Sequence, residues 1–222
     1  MIYVMSDIHG NRRRFDSIMN QIDLKADDQL YVLGDVIDRH PDGIPILLQL
    51  MNMSNATLLL GNHELMMLEA LSTSARFRPG EERKKKRLWF SNGGQVTLTR
   101  FEAQDETTRS RILEYLTKLP YQIEIEVGKT HYLLVHAAPA ELLKYSWSYN
   151  DPREFCVWER IGASIKMPEG YEVIFGHTPS AYFYEMDWFN NSVPESERIM
   201  SIWHGDHRIE NCITSLIRVA AA

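Results

Sequence analysis

Short apolar runs alternate with amphipathic stretches through the first third of the chain. Ile2 to Met5 reads as a strand, and Asn11 to Ile22 as a helix with Phe15, Ile18, Met19 and Ile22 on one face. Leu30-Tyr31-Val32-Leu33 is a buried strand ending at Gly34. Ile44 to Met51 is a helix with Pro45 in its first turn, where a missing N–H is tolerated. Thr57 to Leu60 is a third strand and Glu64 to Leu71 the next helix. The order β-α-β-α-β-α predicts a parallel sheet covered by helices.

The pattern then changes twice. From Ser72 to Leu119 no strand-like run occurs, which predicts a helical insertion over 72–119. It contains Glu81-Glu82-Arg83-Lys84-Lys85-Lys86-Arg87, which suits a solvated helix with acidic residues at its N-terminus better than a docking patch for an acidic partner. Asn92-Gly93-Gly94 marks a turn before another helix. The last third is β. Tyr121, Ile123, Ile125 and Val127 alternate on one face, Gly128-Lys129 turns, and Thr130 to Val135 returns as a hairpin. Val173 to Phe175, Ile199 to Trp203 and Ile213 to Val219 are further expected strands. No linker or repeat divides residues 1–222, so one domain is expected.

Composition narrows the class. A chain of 222 residues with 44% hydrophobic and 24% charged residues can bury a sizeable core. A net charge of −6 argues against nucleic acid as a partner, and no apolar run reaches membrane-spanning length. Met1 to Met5 has no basic leader and enters Ser6-Asp7 directly. With Cys156 and Cys212 the only cysteines, both are expected as free thiols in a cytoplasmic protein. Oligomeric state is left open by the sequence.

Candidate chemistry sits where the strands end. Asp7 and His9 follow the first strand, Asp35 the second and Asn62 the third; His136 follows Tyr132 to Val135 and His177 follows Val173 to Phe175. Strand ends are where open α/β sheets build sites. Oxygen and nitrogen ligands without thiolate suit manganese, iron or zinc better than calcium. Six such residues exceed the needs of one ion. A carboxylate such as Asp35 can bridge two, roughly 3.5–4 Å apart, between which water becomes a nucleophile for in-line displacement at phosphorus. Asp38 and His63 fit a carboxylate-oriented proton donor, and Arg39 offers a fork for phosphate oxygens. His131, His204 and His207 have no such context, and Trp203-His204-Gly205-Asp206-His207 reads as a surface turn. His40 lies beside the site.

The blocks Asp7-Ile8-His9-Gly10, Gly34-Asp35-Val36-Ile37-Asp38-Arg39 and Gly61-Asn62-His63-Glu64 resemble, in this order, the phosphoprotein phosphatase family of metallophosphoesterases. They look most like its compact bacterial and phage lambda-type serine/threonine enzymes. His136-Ala137-Ala138-Pro139 and Phe175-Gly176-His177-Thr178-Pro179 are similar to the family's later blocks, and Val157-Trp158-Glu159-Arg160 to its second arginine segment. The resemblance covers Met1 to about Val219. It implies a calcineurin-like α/β fold, a central β-sandwich flanked by helices. It implies one divalent ion, with manganese favoured, on Asp7, His9 and Asp35, and a second on Asp35, Asn62, His136 and His177. It makes His63 with Asp38 the proton donor, puts Arg39, Arg160 and Asn62 on the substrate phosphate, and makes the substrate a phosphorylated protein or small phosphate ester.

Three positions depart from the family pattern: Leu60 stands where arginine is frequent, His40 where glycine follows Asp-Arg, and Trp203 where an acidic residue is frequent. If position 60 faced the phosphate, Leu60 would remove one donor fork. Two rivals share the fold: a dinucleoside polyphosphate hydrolase and a non-catalytic scaffold. Intact Asp38-Arg39 and Glu64 favour the protein phosphatase side, and the intact ligand set argues against a scaffold.

Overall fold

The structure, a computed structural model, describes residues 1–72, 80–161 and 165–178, and the backbone of strands at 200–201, 203–205, 212–214 and 216–219. Two four-stranded sheets form its centre. The first takes β1 (Ile2–Met5), β2 (Gln29–Val32), β3 (Ala56–Leu58) and β10 (Leu216–Val219) in the order β10-β1-β2-β3. Strands β1, β2 and β3 are parallel, and β10 runs antiparallel to β1 with Ile2 opposite Val219. The second takes β4 (Gln122–Val127), β5 (Thr130–Val135), β6 (Glu172–Phe175) and β7 (Met200–Ser201) in that order, antiparallel only between β4 and β5.

Period-two alternation makes the layers. Val4 of the first sheet, with Leu33 and Leu59 directly after β2 and β3, meets Leu134 and Ile174 of the second in a buried cluster between the sheets. The alternate residues Tyr3, Met5, Leu30 and Val32 face outward into the main core, against helices α1 (Arg12–Ile22), α2 (Gly43–Met51), α3 (Asn62–Leu71), α4 (Glu81–Ser91), α5 (Gly94–Glu102) and α6 (Glu106–Thr117). Leu133, Val135, Val173 and Phe175 face the other way, onto α7 (Pro152–Trp158) and the 3-10 helix Ala140–Tyr145. The result is the expected sandwich with helices outside, each fully buried aliphatic side chain stabilising it by about 1.5–3 kcal/mol.

Local signals set the helix ends. Asn11 caps α1 by accepting the Arg14 N–H at 3.2 Å, and Asp23, left-handed at φ 43°, closes it by donating to the Met19 carbonyl. Asp105 caps α6 at the Thr108 N–H, 2.8 Å away, and Asp151 caps α7 at the Arg153 N–H, 2.7 Å away, with Pro152 in the first turn.

The structure corrects several boundaries. Strands β2 and β3 stop before the expected Leu33 and Leu60, because the chain leaves the parallel ladder there; the Leu60 N–H donates instead to the Pro120 carbonyl at 2.8 Å. Ser72 to Leu119 carries three helices among its described residues; 73–79 lie outside them. The expected strand Ile213 to Val219 is two, β9 (Cys212–Thr214) and β10, and Ile199 to Trp203 is β7 and the start of β8 (Trp203–Gly205). Trp203-His204-Gly205 is therefore not a turn but a strand, held by antiparallel pairing with Thr214, Ile213 and Cys212; 206 and 207 lie outside the described residues. Among the described residues no helix is long and apolar enough to cross a membrane.

Candidate active site

The chain turns sharply where β1, β2 and β6 end. Among the described residues seven non-glycine residues have positive φ; Asp23 caps α1, and the other six are Asp7, His9, Asp35, Asp38, Arg39 and His177. The left-handed region is disfavoured for side chains with a Cβ, and such residues gather where a fold aims functional groups. The loops brace one another: the N–H groups of Asp7, His9 and Gly10 donate to the carbonyls of Gly34, Asp35 and Val36 at 3.2, 2.9 and 2.7 Å. Glycines give the carboxylates room. A Cβ on Gly61 would lie 2.3 Å from Asp35 Oδ1, and one on Gly176 2.4 Å from Asp7 Oδ2.

All six residues expected to bind metal converge, each buried. Asp35 lies at the centre. His9 Nε2 is 3.6 Å and His63 Nε2 3.8 Å from its Oδ2, while His136 Nε2 is 3.5 Å from its Oδ1. His9 Nε2 is also 3.8 Å from Asp7 Oδ1. On the far side, Asn62 Oδ1 lies 2.9 Å from His136 Nε2 and 3.0 Å from His177 Nδ1. The His177 N–H donates to Asp7 Oδ2 at 3.2 Å, and the His63 N–H, at the start of α3, to Asp35 Oδ1 at 3.0 Å. His9, Asp35 and His63 form one group able to hold an ion, and Asp35, His136 and His177 a second, sharing Asp35.

The residues present fit cations. His9 Nδ1 donates to the Ile37 carbonyl at 3.1 Å and His136 Nδ1 to the Leu33 carbonyl at 2.6 Å, which aims each Nε2 inward and leaves that of neutral His9 as a lone pair. His9 Nε2 then has no hydrogen-bond partner although fully buried. His136 Nε2 lies 2.9 Å from Asn62 Oδ1, a place where a bound cation would replace the imidazole proton. A divalent ion satisfies such converging lone pairs.

Electrostatics agree. Burial, then the charges of His63 and Arg39, hold His9 well below the usual histidine range. Burial, then His136 and Arg160, do the same for His177. Both are thereby kept neutral, as ligands must be. Burial opposes charge on His136 and on Asp35, yet the two outweigh it for each other: His136 is pushed up to about 9 and Asp35 is held well below the carboxylate range, with His63 contributing. Burial raises Asp7.

His63 and Asp38, the pair expected to move a proton, are in contact. His63 Nδ1 lies 2.6 Å from Asp38 Oδ2, and both residues are buried. Burial lowers the His63 pKa, but Asp35 and the hydrogen bond to Asp38 more than reverse it, so the net shift is upward. Arg39 is exposed at the rim, its Nη2 3.3 Å from His63 Nε2. Arg160 is exposed just beyond α7, and its charge reaches His177; the Trp158 ring lies 6.3 Å from that imidazole. His40, half-buried, braces the first loop through Nδ1, 3.0 Å from the His9 carbonyl.

The sequence model of calcineurin-like phosphoesterases matches residues 1–213. The chain belongs to this family. Its members are hydrolases with a dinuclear divalent metal site. The chain is 29% identical to serine/threonine-protein phosphatase 1 of Salmonella typhimurium over 80% of its own length and 78% of that enzyme's. It is 33% identical to a symmetrical bis(5'-nucleosyl)-tetraphosphatase of Nitrosomonas europaea over 36% of its length, spanning only 30% of that enzyme. A solved structure described as a putative diadenosine tetraphosphatase shares the fold, with a TM-score of 0.51 and 18% identity over 79% of this chain and 74% of that one.

Three residues of this calcineurin-like phosphoesterase stand behind the site without having been singled out as functional in the sequence. Glu64 is fully buried and accepts the N–H groups of Asp35, Val36, Ile37 and Gly61 at 2.8, 2.9, 3.3 and 3.1 Å. Its carboxylate thus holds the loop that carries Asp35. Trp89 and Thr97, from the insertion, bond to Asp38. A buried acid at the third helical position after Gly61 was the available signal for Glu64. Nothing in the spacing signalled the other two. Leu60 is corrected: it is fully buried in the main core and does not face the phosphate, because the alternation that puts Leu59 between the sheets turns Leu58 and Leu60 toward the helices. His131, exposed on β5, packs edge-on against Tyr171 outside this site. Cys156 is a buried free thiol; the Cys212 side chain lies outside the described residues.

Proposed function

We propose that this protein hydrolyses phosphate monoesters, with phosphoserine and phosphothreonine proteins as its substrate class. The observation that carries the reading is one carboxylate, Asp35, shared by two buried ligand groups, with the His63–Asp38 pair at their edge. Asp7, His9 and Asp35 would hold one ion, and Asp35, Asn62, His136 and His177 the other. Manganese suits these oxygen and nitrogen ligands, and iron or zinc would also fit. Bound ions supply acidified water and neutralise phosphate charge. His63 completes a geometric ligand group with His9 and Asp35, but its Nδ1 is tied to Asp38 and its Nε2 faces the rim arginine. In this reading it stays a proton donor, and Asp7 takes the ligand place.

The chain's own groups then divide the work. Arg39 and Arg160, at the rim, clamp phosphate oxygens, with Asn62 beneath them. His63, its pKa raised despite burial, delivers a proton from Nε2 to the leaving oxygen. Asp38 accepts the Nδ1–H, fixes the ring and balances its charge. Residues 1–222 act as one domain, and Cys156, buried and free, suits a reducing cytoplasm.

Substrate class rests on three supports. The likeness to a protein phosphatase runs along 80% of the chain, whereas the nucleotide hydrolase likeness covers 36%. Asp38-Arg39 is intact, and Glu64 stands where nucleotide hydrolases favour aspartate. The deciding experiment reconstitutes the protein with manganese and compares phosphoserine and phosphothreonine peptides, nitrophenyl phosphate and dinucleoside tetraphosphates, before and after chelation. Metal-dependent peptide dephosphorylation is expected. Faster dinucleotide cleavage transfers the assignment to nucleotides, and full activity after verified metal removal refutes the mechanism.

A further inference from the structure

We propose that the helical insertion aims the proton-donating pair, with Trp89, Thr97 and Gly94 as positioning residues that fix Asp38 and, through it, His63. This rests on the reading of His63 as proton donor. Asp38 has φ 71°, a conformation that L residues avoid, and is fully buried, so its side chain needs external restraint. The sheet does not provide it. Trp89 on α4 donates its indole N–H to both carboxylate oxygens, 2.9 Å from Oδ2 and 3.1 Å from Oδ1. The Asp38 N–H donates to Thr97 Oγ1 on α5 at 2.9 Å, and the next amide, that of Arg39, donates to the Gly93 carbonyl at 3.2 Å. The backbone and carboxylate of the dyad acid are therefore both held by the insertion.

The choice of donor matters chemically. An indole N–H donates only; it cannot accept a proton or exchange roles with the carboxylate. It fixes the plane of Asp38 while His63 Nδ1 approaches Oδ2 at 2.6 Å, so the ring is held with Nε2 facing the rim. Gly94 makes the arrangement possible. A Cβ there would lie 2.3 Å from Trp89 Nε1 and 2.4 Å from Cδ1, forcing the indole away from Asp38. A tryptophan that was merely core would need neither this room beside its pyrrole ring nor bonds to both oxygens of one carboxylate.

The test uses the full, manganese-loaded chain. Trp89→Phe keeps the buried ring and removes the donor; Gly94→Ala keeps the donor and displaces it. Each should lower kcat on a phosphoserine peptide, whose leaving alkoxide needs a proton, by about tenfold. The loss on nitrophenyl phosphate should be much smaller, with KM and bound manganese unchanged. His63→Asn should show the same leaving-group dependence with a larger loss, and Trp89→Phe added to it should cost nothing further. Equal losses on both esters, or a Trp89→Phe effect that adds to His63→Asn, would reduce Trp89 to packing and overturn the proposal. If His63→Asn itself lacks leaving-group dependence, the proton-donor reading fails instead. A second readout is independent of turnover. On the metal-free chain, where no paramagnetic manganese broadens it, the Trp89 indole N–H resonance, assigned by its loss in Trp89→Phe, should shift markedly in Asp38→Asn; an unmoved resonance overturns the proposal.

Discussion

Replacing Glu64 by glutamine changes almost no volume and tests what the carboxylate holds. Oε1 accepts from Val36 and Ile37, and Oε2 from Asp35 and Gly61, all within 3.3 Å. Burial, then the charge of Asp35, push Glu64 up to about 7, so at pH 8 the parent group is ionised and all four bonds have a full acceptor. Glutamine turns one oxygen into an NH2, setting donor against donor at two backbone amides. Each buried unpaired donor costs about 1–3 kcal/mol, and glutamine recovers part of this by burying no charge, leaving a net loss of roughly 2–4 kcal/mol. In a domain of this size that lowers Tm by about 4–15 °C. The Asp35 loop should shift with it and weaken manganese binding by roughly 10–100-fold. The assays are thermal melts of metal-free protein and calorimetric manganese titration. The pH dependence has a definite sign. With its folded pKa raised from 4.5 to about 7, the parent binds more protons folded than unfolded in that window, so this group's contribution to stability falls as pH rises through it. The variant lacks that slope, so the gap between the two is wider at pH 5 than at pH 8. A variant that melts within about 1 °C of the parent and binds manganese equally would refute the role assigned to Glu64.

Leu60→Arg buries an unpaired charge in the main core and should cost more than about 3 kcal/mol, read by thermal melt, with no fall in KM for small esters; a folded variant with lower KM would contradict the observed burial. Asp35→Asn should lower manganese stoichiometry at both ions, whereas His177→Ala should affect one, as metal analysis after desalting would report. Burial, then Glu141 and Asp151, push the Cys156 thiol up to about 12; it should therefore resist a thiol reagent at pH 8 until the protein unfolds, and rapid labelling of the native state at this cysteine would contradict it.

The strand ends were legible because period-two runs such as Tyr31 to Leu33 stop at glycine beside a ligand. Asp7, His9, Asp35, Asn62, His136 and His177 all converge where that pattern placed them. The insertion was legible as helix but not as machinery. Trp89 sits 51 residues from Asp38, inside a helix whose other residues are mostly charged, and no local pattern ties an indole to a distant carboxylate. Leu60 misled because a family comparison supplies residue types and not directions; only the sheet's alternation decides which side position 60 faces. The final strands were misdrawn because β7 has two residues and β8 three, too short for an alternation to register.

The six left-handed residues at the site set selection for heat resistance against selection for turnover. Each costs the fold on the order of 1–3 kcal/mol that a glycine at the same place would avoid. A library screened for survival on heating should therefore enrich glycine at positions 7, 35, 38 or 177, and the hardiest clones should be dead enzymes. Bound metal reverses that preference, since an ion at a hundred times its Kd adds about 2.7 kcal/mol to the folded state only where its ligands remain. The same screen run with manganese in the medium should keep Asp7, Asp35 and His177, but not Asp38, which holds no ion.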